Sequence, residues 1–358
     1  RLMTQTAPPD AAPPGATRRA LLCPGCGGQC VFDPGERGLT CQSCGRVQDL
    51  AHEDDDNAHI EYGYDPTQPE EEPATRPEEL EHHCATCGGC VIFTGPQLSE
   101  SCPYCDGAVV LSQPVNGYDT MALIPFSTQE ETAQRNAQAW AKSRLAAPGD
   151  LAKSVAPARV AGLYAPFWTF DSKEAVSYWA KYTTGSGDNK RTHSVSGAMN
   201  IHFDDLLVPA SPHVTPLIRD GILHEFNPDK LRRYRAGYLA GFAAERHHMS
   251  ISEGLRSNRK DKDLLIRNRI KGDINRSRVH SIRYRTDTSG IHYRRILLPV
   301  WMLHYTYRHK PYKIVVSGIN GRTYGERPFS SWKLAGYSAL LSAAVIGFGL
   351  VWGAAGWL

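Results

Sequence analysis

The sequence predicts an α+β fold: two small cysteine modules, a mixed β-rich domain with inserted helices, and one apolar C-terminal helix. Three observations predict it. The pattern Cys-x-x-Cys, fourteen residues, Cys-x-x-Cys occurs twice, as Cys23, Cys26, Cys41, Cys44 and as Cys84, Cys87, Cys102, Cys105. Between 120 and 330, apolar and aromatic runs of strand type alternate with helical patterns. The last twenty-five positions, 334–358, carry no charged residue.

Each Cys-x-x-Cys pair sits on a tight turn that aims two sulfurs at one point. Four thiolates at this spacing match a structural zinc ribbon, so the chain is expected to hold two Zn2+ ions. The rival reading, a disulfide scaffold, needs an oxidising compartment, and no secretory pattern is visible. Cys30 and Cys90 stand four and three residues after the second cysteine of their pairs. That mismatch argues against a shared ligand role, and both read as small buried side chains. A closed four-sulfur site leaves no open position for substrate, so the metal is read as structural.

The 358 residues are enough for two or three domains, and the net charge is +3. Charge is placed unevenly. From Glu53 to His82 there are twelve acids against Arg76; from Arg256 to Arg295 there are thirteen Lys or Arg against four Asp. This predicts an acidic linker and a basic face.

In chain order, residues 1–19 are rich in Pro and Ala and read as disordered. Ribbon one follows at 20–50, with Val31-Phe32 as its first strand. The acidic stretch 51–80 reads as a self-repelling, extended linker. Ribbon two spans 81–112, with Val91-Ile92-Phe93 as its first strand. In the domain at 120–330, Ser127 or Thr128 is placed to cap a helix that carries Ala137, Trp140, Ala141 and Leu145 on one face. Strands are expected at 163–170, 176–182 and 194–203. Asn227-Pro228 is read as opening a helix through Leu231, Tyr234, Tyr238 and Phe242. A charged helix is expected from Glu253 to Lys271, then strands at 279–285, 296–308 and 312–317, with Asn320-Gly321 as a turn. Pro166-Phe167-Trp168 and Pro299-Val300-Trp301 echo one another, which suggests two related β-units with the helices between them and both tryptophans as core anchors.

An apolar helix over 334–358 is about 37 Å long against a hydrocarbon core of about 30 Å. Leu334, Leu341, Val345, Phe348, Trp352 and Trp357 are its anchor residues. Arg322, Arg327 and Lys333 precede it, which places the bulk of the chain in the cytoplasm. Ala339, Ala343 and Gly347, with Gly349 and Gly353, form a small-residue stripe that suggests self-association. There is no phosphate loop, HExxH, serine elbow or Cys/His nucleophile pattern, and the chain is read as non-enzymatic.

The second ribbon, Leu163–Asp171, Ala236–Phe242, Leu298–Trp301 and Asn320–Pro328 together resemble a bacterial family of membrane-anchored zinc-ribbon proteins. Its members are often labelled primosomal protein N′ (replication factor Y), superfamily II helicase-like, although the helicase motor motifs are missing here. The resemblance covers roughly 80–358; the first ribbon and the acidic linker fall outside its core pattern. It implies a single-pass protein of the bacterial inner membrane, with partners such as membrane-stress or membrane-scaffold proteins.

The function expected is a membrane-anchored adaptor that presents cytoplasmic ribbons to a protein partner. The alternative is nucleic-acid binding, with Arg256, Arg259, Lys260, Arg267, Arg269 and Lys271 meeting phosphate; the same residues could equally meet anionic lipid. Few Lys or Arg in the cysteine loops, and acids beside them, weigh against nucleic acid.

Overall fold

The computed structural model describes residues 21–50, 58–74, 81–93, 101–111, 117–223 and 226–355. In chain order, β1 (Cys30–Asp33), β2 (Gly38–Cys41) and β3 (Val47–Asp49) form a three-stranded antiparallel sheet beside the first four cysteines. After β4 (Tyr62–Gly63), β5 (Glu81–Cys84), β6 (Cys90–Phe93) and β7 (Val109–Leu111) flank the second four. The domain then runs β8 (Ala122–Leu123), α1 (Glu130–Lys142), α2 (Leu151–Val155), β9 (Arg159–Thr184), β10 (Arg191–Pro209), α3 (Pro216–Leu223), β11 (Arg232–Arg233) and β12 (Ala243–Ala244). It closes with α4 (Ile251–Ser257), α5 (Arg259–Ile274), β13 (Val279–Tyr307), β14 (Lys310–Ser317), β15 (Thr323–Gly325) and α6 (Ser331–Ala355). The structure is thus α+β, with a mixed sheet of twelve strands among the described residues.

The sheet is built on two long strands. β9 has 26 residues and β13 has 29, and they pair antiparallel from Arg159 opposite His304 to Tyr182 opposite Val279. Each was expected as two separate strands. The sequence pattern changes along them because their surroundings change. From Leu163 to Phe170 every residue of β9 is buried, covered on both faces by the body. From Ser172 to Lys181 burial alternates strictly. There β10, β9 and β13 leave the body as a three-stranded arm, roughly 40 Å long at 3.3 Å per residue. α5 lies on one face of it, with Ile266 and Ile270 packed on Val176, Tyr178 and Ile201.

The echoing motifs meet in the sheet. Ala165 lies opposite Leu298, which is its own counterpart at the offset that carries Pro166 to Pro299. A local two-fold axis through that pair gives this register. Trp168 is fully buried against Phe170 and Tyr293. Trp301 packs on Phe126 and Phe242, and its Nε1 donates to the Thr128 carbonyl at 2.9 Å.

Several local expectations are corrected. α1 begins after Gln129, which makes no side-chain cap; Ser127 Oγ instead donates to the Ile319 carbonyl. Ala133, Ala137 and Ala141 form its buried face, whereas Leu145 lies beyond the helix end, 76% exposed. The helix expected after Asn227-Pro228 is a single 3-10 turn, Pro228–Lys230, followed by short strands and a second such turn, Ala236–Leu239. Leu231, Tyr238 and Phe242 are buried by tertiary packing rather than by a helical face. The charged helix divides at Asn258, and Ser250 with Glu253 closes a capping box on its first half.

The acidic linker is also corrected. Its described part, 58–74, is not a free tether. Tyr62–Gly63 pairs with β13, and Ala58 is 2% exposed. Glu61 pairs with Arg294, and Glu71 accepts from the fully buried Arg295 at 2.7 Å. The acids hold down a strap across the sheet because buried guanidinium groups need counter-charges.

Candidate metal centres

The four Cys-x-x-Cys turns are built alike. In each, the first cysteine's N–H donates to the carbonyl five residues on: Cys23 to Gly28, Cys41 to Arg46, Cys84 to Gly89 and Cys102 to Gly107, at 2.7–2.9 Å. Its carbonyl accepts from the residue after the second cysteine, Gly27, Gly45, Gly88 or Asp106. That residue stands at φ +71°, +70°, +77° or +63°, the left-handed region. Glycine adopts it freely, and Asp tolerates it at a small cost.

The turns face each other in pairs. Cys23 and Cys44 sulfurs are 3.7 Å apart, and Cys26 and Cys41 are 3.5 Å apart; Cys84–Cys105 and Cys87–Cys102 are 3.5 and 3.7 Å. These are too long for disulfides of about 2.05 Å. Four sulfurs about 2.3 Å from a tetrahedral centre stand about 3.8 Å apart, so both sets fit a metal site of four cysteines. All four sulfurs of each set lie within 4.8 Å of one another. Cys30 and Cys90 stay outside them: Cys30 is buried beside Gln48, and Cys90 faces His83. Thiols this close do not ionise equally without a cation. Backbone N–H groups, that of Cys44 foremost, pull Cys41 down to about 6, whereas burial pushes Cys102 up. A bound divalent cation removes that conflict.

Both modules are seated on the body. In the first, Phe32 N–H donates to the Ala240 carbonyl at 3.0 Å, and its ring packs on Tyr238 and Phe242. Gly241, at φ +89°, turns the chain beneath Val31, whose Cβ leaves about 3.3 Å for any added side chain. The second module joins the large sheet directly, through β6 on β12 and β12 on β9. Tyr104, between two of the sulfurs in sequence, donates to the buried carboxylate of Glu245, which also accepts from Ser211 Oγ at 2.7 Å. His304 Nε2 donates to the Pro103 carbonyl at 2.8 Å, and Arg159 pairs with Asp106 at 2.5 Å. None of these partners carries a sequence signature.

Between the modules lies an open cleft of about 1270 Å³, lined by Asp33, Asp106, Glu130, Glu131 and Arg159 among others. Burial, with Glu131 adjacent, raises the pKa of Glu130.

The other predicted site residues are dispersed. Arg256 lies in the last turn of α4, and Arg259, Lys260, Arg269 and Lys271 are exposed on α5. Arg267 is engaged with Asp263 and with the Ile282 carbonyl. Ile282 lies twenty-five residues before Tyr307 on β13, roughly 80 Å along the strand from the end next to α6. On α6, Leu334, Leu341, Val345, Phe348 and Trp352 are all exposed; Trp357 lies outside the described residues. Ser331–Trp352 is long and apolar enough to cross a membrane, and none of its most apolar window is buried by the body.

The neck of the arm holds a third cluster that sequence reasoning missed. Glu61, Asp171 and Asp205 converge there, with the Arg294 guanidinium paired to Glu61 and Asp205. One cation among three carboxylates leaves a proton to be shared. Burial, then Asp171 beside it, pushes Glu61 up to about 8 despite Arg294. The folded state therefore holds a proton that the unfolded chain releases between about pH 4.5 and 8, and stability falls as pH rises through that window. Glu61→Gln removes this fall. With part of the group in solvent, the variant should gain about 2 kcal/mol on wild type between about pH 5 and 8. Calorimetry of both proteins across pH checks it; parallel profiles would refute the assignment.

No protein-family model matches the chain, and no solved structure matches it. A Bacillus subtilis (strain 168) protein described as "Uncharacterized protein YdjG" is 25% identical over 334 residues. The alignment spans 88% of this chain and 92% of that protein, so the likeness extends far beyond the cysteine modules.

Proposed function

We propose that this is a single-pass membrane protein whose cytoplasmic body is braced by two structural zinc ribbons and serves as an adaptor for a protein partner. The cleft between the two ribbons carries the partner reading. It is bounded by both modules and lined by Asp33, Asp106, Glu130 and Glu131, with Arg159 paired to Asp106. Such a rim suits a basic protein segment and repels phosphate. The fit of each sulfur set to a closed tetrahedron supports a structural rather than catalytic metal. α6 supports the membrane span, and Arg322, Arg327 and Lys333 before it support the cytoplasmic placement of the body. The bacterial inner membrane, and partners from membrane-stress or membrane-scaffold systems, follow from the resemblance noted above.

A mild-detergent pulldown with mass spectrometry tests the adaptor reading, with wild type beside Glu130→Gln/Glu131→Gln and with nuclease-treated beside untreated extract. We expect partners that survive nuclease and are depleted by the double substitution. Loss of every partner on nuclease treatment overturns the reading.

One observation favours nucleic acid as a second reading. On the open face of the arm, Trp179 is 49% exposed beside Arg283, with Lys181, Arg285 and Lys173 on the same face. An exposed ring among cations can stack a base. Salt-dependent binding of single-stranded oligonucleotides that Trp179→Ala abolishes would support it.

A further inference from the structure

We propose that the turn joining α1 to α2, with Phe329 and Trp332, forms a lip that seats in the boundary between lipid headgroups and acyl chains and fixes the tilt of the body on the bilayer. The proposal rests on the reading of α6 as a membrane span. Leu145, Phe329 and Trp332 are 76%, 60% and 89% exposed. They are large apolar side chains that the body leaves uncovered at the root of the span. The turn is strapped to that root by three bonds. Ser330 N–H donates to the Ala146 carbonyl at 2.8 Å, Lys333 Nζ to the Ala147 carbonyl at 2.9 Å, and Tyr337 OH to the Leu145 carbonyl at 3.4 Å.

The strap sets the height of the turn. Tyr337 lies six residues into α6, about 9 Å along its axis. A helix of 25 residues, about 37 Å long, exceeds a core of about 30 Å by roughly one turn. A turn tied at the level of Tyr337 therefore reaches the interfacial layer, where aromatic side chains collect. Lys142, Arg144 and Lys333 border the apolar patch and suit anionic headgroups. Asp150 and Glu326 lie nearby, and Asp150 accepts from Tyr307 OH at 3.0 Å.

The test uses the full chain in vesicles of phosphatidylcholine and phosphatidylglycerol. A benzophenone amino acid is placed singly at position 145, 329, 341 or 179, and lipid adducts are read by mass spectrometry. We expect adducts from 145 and 329, as from 341 within the span, and none from 179 on the arm. Leu145→Glu, at an exposed position, should leave insertion intact and bring the adduct at 329 down to the level of the arm control. Lipid adducts at 341 without any at 145 overturn the lip and leave the span standing. Adducts from 145 to a second copy or to another protein also overturn it. No lipid adduct at 341 removes the span, and the lip with it.

Discussion

With both sulfur sets holding zinc as proposed, Cys102→Ser should lower the zinc content from two ions per chain to one, and should loosen the central sheet as well as its own module. Structural zinc contributes roughly 10–16 kcal/mol to the folding of isolated modules of this kind, more than a marginally stable domain holds in reserve. The two modules differ in what they carry down with them. The first has its own three-stranded sheet and meets the body through side-chain packing and a backbone hydrogen bond from Phe32. The second shares strands with the large sheet, because β6 pairs with β12 and β12 with β9. Its loss also takes the Tyr104 hydrogen bond from Glu245, a buried carboxylate to which Ser211 also donates. A buried acid that loses a hydrogen bond costs the body further. Cys41→Ser should therefore lose one zinc but leave Leu163–Tyr164 and Ala243–Ala244 protected from hydrogen exchange, whereas Cys102→Ser should expose them. Cys30→Ser and Cys90→Ser, outside both sulfur sets, should keep both ions. Zinc analysis per chain with exchange mass spectrometry decides these points. A wild-type ratio near one removes the tandem reading, and equal exchange in the two ligand variants removes the asymmetry.

The cysteine modules were legible because their chemistry resides in local spacing: four turns of the same build need only Cys-x-x-Cys followed by a residue that accepts positive φ. The apolar helix was legible because a stretch of twenty-five residues without charge has few other uses. What was missed depends on distant parts of the chain. Leu231, Tyr234, Tyr238 and Phe242 have helical spacing, yet Gly241 at φ +89° and contacts with the first module dictate turns. Residues 61–71 read as repelling acids because charge counting cannot see Arg294 and Arg295, more than two hundred residues away, arriving buried beneath them. The arm was divided into short strands because its polar alternation differs from the all-apolar stretch in the body, although both belong to single strands. The helix expected from Glu253 to Lys271 was right in kind, but its basic residues do not gather beside α6.

Deleting residues 334–358 should move the protein from the membrane pellet to the soluble fraction with both zinc ions retained. α6 exposes Leu340, Leu341, Val345, Ile346, Phe348, Leu350, Val351 and Trp352, each 62–73% accessible. At about 1.5–3 kcal/mol for each side chain buried, the bilayer gains roughly 12–24 kcal/mol from these alone. The helix satisfies its own backbone, so little polar cost opposes that transfer. The body lends the segment almost no cover, and its removal strips no core. The cut leaves the Ser330–Ala146 bond, Lys333 and the apolar lip at Leu145, Phe329 and Trp332 in place. The truncated protein should therefore keep a weak affinity for anionic vesicles that high salt removes, because screening acts on Lys142 and Arg144 while the small apolar patch cannot hold the body alone. Alkaline extraction separates the two modes. If the truncated chain still resists the alkaline wash, a second segment anchors it and α6 is not the span on which the body depends.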